Sequence, residues 1–232
     1  MQYLNCKIIL IIDKEHLLLY TSCMNKININ EIIRLLELAY PDPACSLEYD
    51  KPYELLITVR LAAQCTDERV NKIAPALFAR YPTLESFAEA EQGELETYVH
   101  SCGFFRAKAR DIIAAAQMLL SEFGGIVPDN MTDLLRLPGV GRKTANLLLG
   151  DIYDAPGSVT VDTHCIRITN RIGLVTVKEP PKIEAALRKI LPPNKSNDFS
   201  HRMVLHGRAV CTARSAHCNE CCILPHCMRV GV

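Results

Sequence analysis

The 232-residue sequence predicts an all-α protein. Apolar residues recur at three- and four-residue spacings along most of the chain, the period of one helix face. Alternation of apolar and polar residues nowhere runs long enough for a strand, and Val175-Thr176-Val177 is too short to matter. Pro, Gly, Asn and Asp interrupt the apolar pattern at intervals that suit helices of ordinary length. No internal repeat or low-complexity linker is present. The length and the 49% apolar content suffice to bury a real core, as one large domain or two smaller lobes.

The first predicted helix, Asn30 to Tyr40, carries paired isoleucines and leucines and stops at Pro41. Pro52 opens the second, to Gln64, where a proline fits a first turn. Asp67 to Tyr81 follows Thr66, a capping residue type, and two short helices, Thr83 to Ala90 and Glu94 to His100, come next. Arg106 to Phe123 is the longest and ends at Gly124-Gly125. Met131 to Leu137 can be capped by Asn130 or Thr132, and Pro138 cannot continue it. Arg142 to Leu149 begins immediately after the next turn. Thr163 to Ile172 lies between Asp162, an N-cap type, and Gly173, while Glu179 to Leu191 and Phe199 to Cys211 complete the set. Residues 1–23 do not fit this organisation. Ile8 to Ile12 is apolar, but Asp13 to His16 interrupt it before Leu17-Leu18-Leu19. That run is too short to span a membrane and lacks a small-residue cleavage site, so it reads as an upstream start or a poorly packed extension.

The most informative stretch is Leu137-Pro138-Gly139-Val140-Gly141-Arg142-Lys143. Two short helices with a Pro-Gly-x-Gly turn between them make a helix-hairpin-helix pattern. The glycines permit unusual backbone geometry and leave the turn's amides uncovered at the positive end of the second helix, a ready site for a phosphate. Such contacts grip a DNA backbone without reading its bases. Lys143 falls in the first turn of that helix. A neutral amine there can attack the anomeric carbon of a nucleotide sugar, expel the base and leave an imine that eliminates the 3′ phosphate. Only about one ordinary lysine in a few thousand is neutral at pH 7. Partial burial and the helix's positive end would both favour the neutral form. Asp162, nineteen residues on, would take a proton and steady the cationic sugar. Each residue also has a plainer reading: Lys143 as a DNA-contacting or solvated lysine, Asp162 as a helix cap.

Near the carboxyl terminus Cys211, Cys218, Cys221 and Cys227 form a C-x6-C-x2-C-x5-C run within seventeen residues. That density demands a metal, and the spacing alone suits tetrahedral zinc and an iron-sulfur cluster equally. Cys222 adjoins a ligand, and His217 and His226 are less apt substitutes. The remaining cysteines are scattered and no secretory signal accompanies them, which points to free thiols in a reducing cytoplasm. The formal net charge is zero, yet residues 160–232 hold eleven Lys and Arg against five Asp and Glu, a surplus of six. Arg202, Arg208, Arg214 and Arg229 flank the thiols and suggest a basic face there.

With those residues on the page, the chain resembles the endonuclease III family of bifunctional DNA glycosylase/abasic-site lyases. The resemblance runs from about Met24 to Cys227. It rests on Leu61-Ala62-Ala63-Gln64-Cys65-Thr66-Asp67, Leu137 to Asn146, Val161-Asp162-Thr163-His164, Leu205-His206-Gly207-Arg208 and the four cysteines. It implies two all-helical lobes with the DNA groove between them: residues 45–155 in one, and residues 24–44 with 156–232 in the other. It implies a 4Fe-4S cluster on Cys211, Cys218, Cys221 and Cys227, Lys143 as the Schiff-base nucleophile and Asp162 as the catalytic carboxylate. Gln64 matches the residue that fills the gap left by a flipped nucleotide. Phe104 and Phe105 fall where relatives carry an apolar wedge, often leucine then tyrosine, and here the pattern departs. Leu137, Gly139, Gly141, Arg142 and His164 complete the implied DNA contacts. An enzyme that excises a base must extrude it and fill the hole, and an amide with an apolar wedge suits that task. The implied activity is removal of oxidised pyrimidines from double-stranded DNA followed by β-elimination at the abasic site. The implied molecule is a monomer in the cytoplasm, at the nucleoid if bacterial, with no membrane association. A monofunctional relative would lack the lysine and carry a further domain. A non-catalytic DNA-binding or redox-sensing cluster protein would lack Lys143 or Asp162.

Overall fold

Eleven α-helices and four short 3-10 turns make up residues 27–232, which the computed structural model describes; the expectations for residues 1–23 lie outside them. Among the described residues there is no strand, only an isolated antiparallel bridge between Cys211 and Ala216. The helices are α1 (Ile29–Ala39), α2 (Pro52–Ala62), α3 (Asp67–Arg80), α4 (Leu84–Ala88), α5 (Gln92–Val99) and α6 (Phe105–Phe123). They continue with α7 (Met131–Leu134), α8 (Arg142–Tyr153), α9 (Thr163–Ile172), α10 (Pro180–Ile190) and α11 (Ser196–Ala209).

Apolar side chains gather into two buried clusters. One draws on residues from Leu47 to Leu149, with Leu55, Leu77, Phe87, Leu119 and Leu148 fully enclosed. The other combines Ile32, Ile33 and Leu36 of α1 with residues from Val159 to Cys227. Helix α1 reaches that later part of the chain partly through polar contacts. Tyr40 at its end meets His206 Nδ1 at 3.1 Å, and its carbonyl accepts from Arg202 Nε at 3.1 Å.

Several helix ends differ from the sequence expectation, each for a local reason. Helix α2 stops at Ala62 because Gln64 takes a left-handed conformation, φ +57°. Helix α7 stops at Leu134 rather than Leu137. The amides of Arg136 and Leu137 bond carbonyls only three residues back, so the chain tightens as it approaches Pro138. Helix α8 runs four residues past Leu149. Gly150 survives inside it because Asn197 occupies the space a Cβ would need. Helix α11 begins at Ser196, three residues before Phe199, where the Ser196 hydroxyl donates to the Pro192 carbonyl at 3.2 Å.

Candidate active site

An open cleft of about 1820 Å³ lies between the two apolar clusters and takes its walls from both. Lys143 and Thr144 of α8 line it from the first, and Asp162 to His164 at the start of α9 from the second; Gln64 stands at its edge with Cys65 and Asp67. Two side chains nineteen positions apart, carried by different cores, therefore face one solvent-filled space.

The hairpin turn sets the bearing of Lys143. Gly139 has φ +77°, and a Cβ there would come within 2.6 Å of Arg60, whose guanidinium is held at 2.7 Å by Asp111. Glycine is thus required twice over, by dihedral and by space. Gly141 differs from the expectation: its backbone is ordinary extended structure, φ −103°, and a Cβ would meet nothing. What it provides is a bare helix end, since no side chain caps α8 and the space in front of its amides stays open. Lys143 follows in the first turn. The partial burial expected of it is not found, for the side chain is exposed. Asp162 is the N-cap of α9, accepting from the Cys165 amide at 2.7 Å through Oδ1. Asn130, not Thr132, caps α7.

His164 is half-buried beside Asp162. Burial, and then the positive charges of Arg167, Arg208 and Lys143, hold its pKa below the ordinary value against the pull of Asp162. Its Nδ1 lies 3.1 Å from Arg167 Nη2; a guanidinium has no acceptor, so Nδ1 accepts and the neutral ring carries its proton on Nε2. Across the cleft mouth Asp67 accepts from Arg208 at 2.7 Å and from Ser46. Burial pushes the Asp67 carboxyl up, but the Ser46 hydroxyl and the Arg208 guanidinium outweigh it and the net shift is downward.

Other expected DNA contacts come out differently. The Leu137 side chain is buried in the first core, 2% exposed, and offers DNA only its backbone. Arg142 is turned toward Glu184 of α10 in a bidentate pair, at 2.6 and 2.9 Å, and Glu184 is itself buried. Phe104 and Phe105 separate. Phe104 is left-handed, φ +47°, and 68% exposed, while Phe105 packs against the first core and lies 4.5 Å centroid to centroid from His100. The basic face proposed from four arginines is reduced: Arg202 is buried against Tyr40 and Asp198, and Arg208 is engaged by Asp67.

The four cysteines Cys211, Cys218, Cys221 and Cys227 line one hollow of about 350 Å³, together with Arg171, His206 and His217. Cys222 is not among its walls. Arg171 Nη1 donates to Cys211 Sγ at 3.3 Å and the Arg229 amide to Cys227 Sγ at 3.4 Å, the donors thiolate sulfurs require. Burial pushes the Cys221 thiol up to about 12, with its neighbouring cysteines adding to the effect, so four thiolates there need a positive group to balance them. Among the described residues no three His, Cys, Asp or Glu side chains close on a single metal-ion position. Four cysteine thiols on one hollow are the donor type that an iron-sulfur cluster takes.

Sequence reasoning had no role for Glu184, for the Asp67–Arg208 pair, or for Lys108, which is 1% exposed. Each depends on a partner remote in sequence, and composition gives no signal for it.

A hairpin whose following helix has no side-chain cap, a lysine in that helix's first turn and a carboxylate on the same cleft thus stand together in an all-helical fold. The model of the HhH-GPD superfamily base excision DNA repair proteins matches residues 57–193. An endonuclease III of Synechocystis sp. is 46% identical over 204 residues, covering 88% of this chain and 93% of that one. An endonuclease III of Escherichia coli is 38% identical over 200 residues, 86% of this chain and 94% of the other. A solved structure of a trapped endonuclease III–DNA covalent intermediate superposes with a TM-score of 0.81 at 37% identity, covering 87% of this chain and 94% of that one. A non-covalent endonuclease III–DNA complex superposes equally well. The chain belongs to the endonuclease III family of base excision DNA repair enzymes. No described helix is long and apolar enough to cross a membrane.

Proposed function

We propose that this chain excises oxidised pyrimidines from double-stranded DNA with Lys143 as nucleophile and Asp162 as its carboxylate partner, then cleaves the strand 3′ to the abasic site. The observation that carries the reading is the placement of both side chains on one cleft. The uncovered amides at the start of α8 take a backbone phosphate, which puts the sugar of an extruded nucleotide within reach of the first helical turn. Lys143 Nζ, exposed in the free protein, is desolvated when DNA covers the cleft. Its lone pair forms a bond to C1′ as the bond to the base breaks, and the departing base takes up a proton from water. The ring opens to an imine, a C2′ proton is removed, and the 3′ phosphate departs by β-elimination. Asp162 takes a proton from the incoming amine and its charge steadies the cationic sugar. Gln64 and Phe104, both exposed at left-handed turns, fill the vacated stack. Phe105 supports the wedge from behind.

Cys211, Cys218, Cys221 and Cys227 would hold the 4Fe-4S cluster that the family resemblance implies. When bound, it braces the loop around the hollow and offers neighbouring cations to phosphate. Residues 45–155 form one lobe, the described residues 27–44 with 156–232 the other, and the molecule acts as a monomer in the cytoplasm. The test is borohydride trapping on duplex DNA carrying one thymine glycol, beside Lys143→Ala. An adduct that vanishes in the variant, with DNA affinity and melting temperature kept, supports the reading. Retained strand cleavage by Lys143→Ala would place the nucleophile elsewhere.

A further inference from the structure

The interior of the first lobe holds a charged side chain that the chemistry above does not use. Lys108, on α6, is 1% exposed. Its Nζ donates to the Leu61 carbonyl at 2.8 Å and to the Cys102 carbonyl at 2.7 Å. Neither partner is a carboxylate, and burial, with the nearby Arg60 charge adding to it, holds the amine below its ordinary pKa. An ammonium enclosed without a counter-charge is costly, so a specific geometry must be what it secures.

That geometry lies at its two acceptors. Leu61 is in the last turn of α2, three residues before Gln64, and Cys102 ends the 3-10 turn His100–Cys102, two residues before Phe104. Beyond each acceptor the chain enters a left-handed residue that is not glycine, Gln64 at φ +57° and Phe104 at φ +47°. Such conformations persist where the surroundings over-determine them. Both side chains that follow the turns are exposed. One cation thus bonds carbonyls two or three residues ahead of both left-handed positions, and those positions present the Gln64 amide and the Phe104 ring to solvent.

We infer that Lys108 is a positioning residue that clamps the Gln64 and Phe104 turns at a fixed separation, so that both side chains insert as one unit. The inference rests on the proposal that Gln64 and Phe104 fill the vacated stack. It predicts that Lys108 matters for extruding a base from a duplex and not for chemistry on a sugar already accessible.

The experiment compares the full-length, cluster-loaded protein with Lys108→Met, which is unbranched, one atom shorter, and without the charge and donors. Single-turnover excision of thymine glycol from duplex DNA should fall roughly tenfold to a hundredfold. Borohydride trapping on a single-stranded abasic oligonucleotide, which needs no extrusion, should stay within about twofold. The unstacking signal of 2-aminopurine beside the lesion should slow together with duplex excision. Equal losses on duplex and single strand, or no loss on either, would overturn the clamp. Gln64→Ala and Phe104→Ala run alongside separate the two layers. If they shift the duplex-to-single-strand ratio and Lys108→Met does not, only the clamp fails; if neither shifts it, the insertion reading has failed beneath it. Should Lys108→Met not fold, Lys108→Gln, shorter by one atom and still a donor, carries the same comparison. A protein that folds with neither would assign Lys108 to core stability and overturn the inference.

Discussion

Asp162 caps α9 and, on the proposed mechanism, also serves the chemistry; substitution can separate the two. Its Oδ1 accepts from the Cys165 amide at 2.7 Å and so caps α9, while the carboxylate charge faces the cleft that holds Lys143. Asparagine caps a helix about as well as aspartate, whereas alanine forfeits roughly 1 kcal/mol. The lost charge at a helix N-terminus adds about 0.3–1 kcal/mol for either variant. Asp162→Asn should therefore cost about 0.5 kcal/mol and Asp162→Ala about 1.5 kcal/mol. At 2–4 °C per kcal/mol for a protein of this size, those become melting shifts of roughly 1–2 °C and 3–6 °C. The chemistry should not follow that order. Both variants lose the proton acceptor, and single-turnover excision should drop about a hundredfold to ten-thousandfold in each. Thermal melts beside rapid-quench excision and borohydride trapping, all below the variants' melting range, read the two effects independently. Rates that rank with stability, or Asp162→Asn excising at the wild-type rate, would show that Asp162 acts only as a cap.

Two further outcomes follow from the polar contacts around the cleft. Glu184 is buried and shared between Arg142 and Arg188, whose side chains are 49% and 40% exposed. Glu184→Ala should cost about 2 kcal/mol in urea denaturation, below the 3–5 kcal/mol of a fully buried pair because both guanidiniums regain water. Arg142→Ala should likewise lose stability before DNA affinity; a variant as stable as wild type that binds DNA tenfold more weakly would return Arg142 to the phosphate. The Asp67 carboxyl is held below its ordinary value of 3.8, so the stability it contributes is present at neutral pH and lost as pH falls through the folded value. Arg208, 49% exposed, limits the pair to about 0.5 kcal/mol. The stability gap between wild type and Arg208→Ala should be that size at pH 7 and close as pH falls below the ordinary 3.8 and through the lowered folded value; a gap that widens in acid would contradict the assignment.

Local signals in the sequence were enough to place the helices and to single out Lys143 and Asp162, which prove to line one cleft. The capping roles of Asn130 and Asp162, the break at Pro138 and the bare turn before Lys143 need only neighbours within four positions. The cysteine spacing gave the four residues that line one hollow. What escaped depends on groups brought together by folding. Arg142 reads as a phosphate ligand until Glu184, forty-two positions away, is seen to hold it. Leu137 sits in the DNA-binding motif yet points into the core, because the tightened turn after α7 rotates it inward. Lys108 has the residue type of a surface side chain, and only the carbonyls of Leu61 and Cys102 explain its burial. Phe104 and Phe105 are chemically alike; the left-handed backbone at Phe104 is what sends one outward and leaves the other against the core.

Helix α8 shows how such contacts decide where Lys143 points. Its 3.6-residue period divides the helix into three sectors. Ala145, Leu148 and Leu149 are buried in the first core. Arg142, Asn146 and Gly150, spaced four apart, form a seam with α10 and α11. Arg142 bonds Glu184, Asn146 Oδ1 accepts from Arg188 at 3.0 Å, and Gly150 lies flush against Asn197. At the end of that helix Asp151 Oδ1 accepts from His201 Nε2 at 2.7 Å and from Asn197 at 2.8 Å. Lys143 and Leu147 occupy the sector left over, which opens on the cleft. With one face packed and the next hydrogen-bonded, the helix cannot rotate about its axis without breaking core contacts or exposing buried polar atoms. Directional bonds along the seam resist sliding better than an apolar contact would, because a small slip costs them their geometry. The bearing of Lys143 relative to Asp162 is therefore set by the two neighbouring sectors of α8, and weakening the seam should loosen the chemistry without touching a reacting atom.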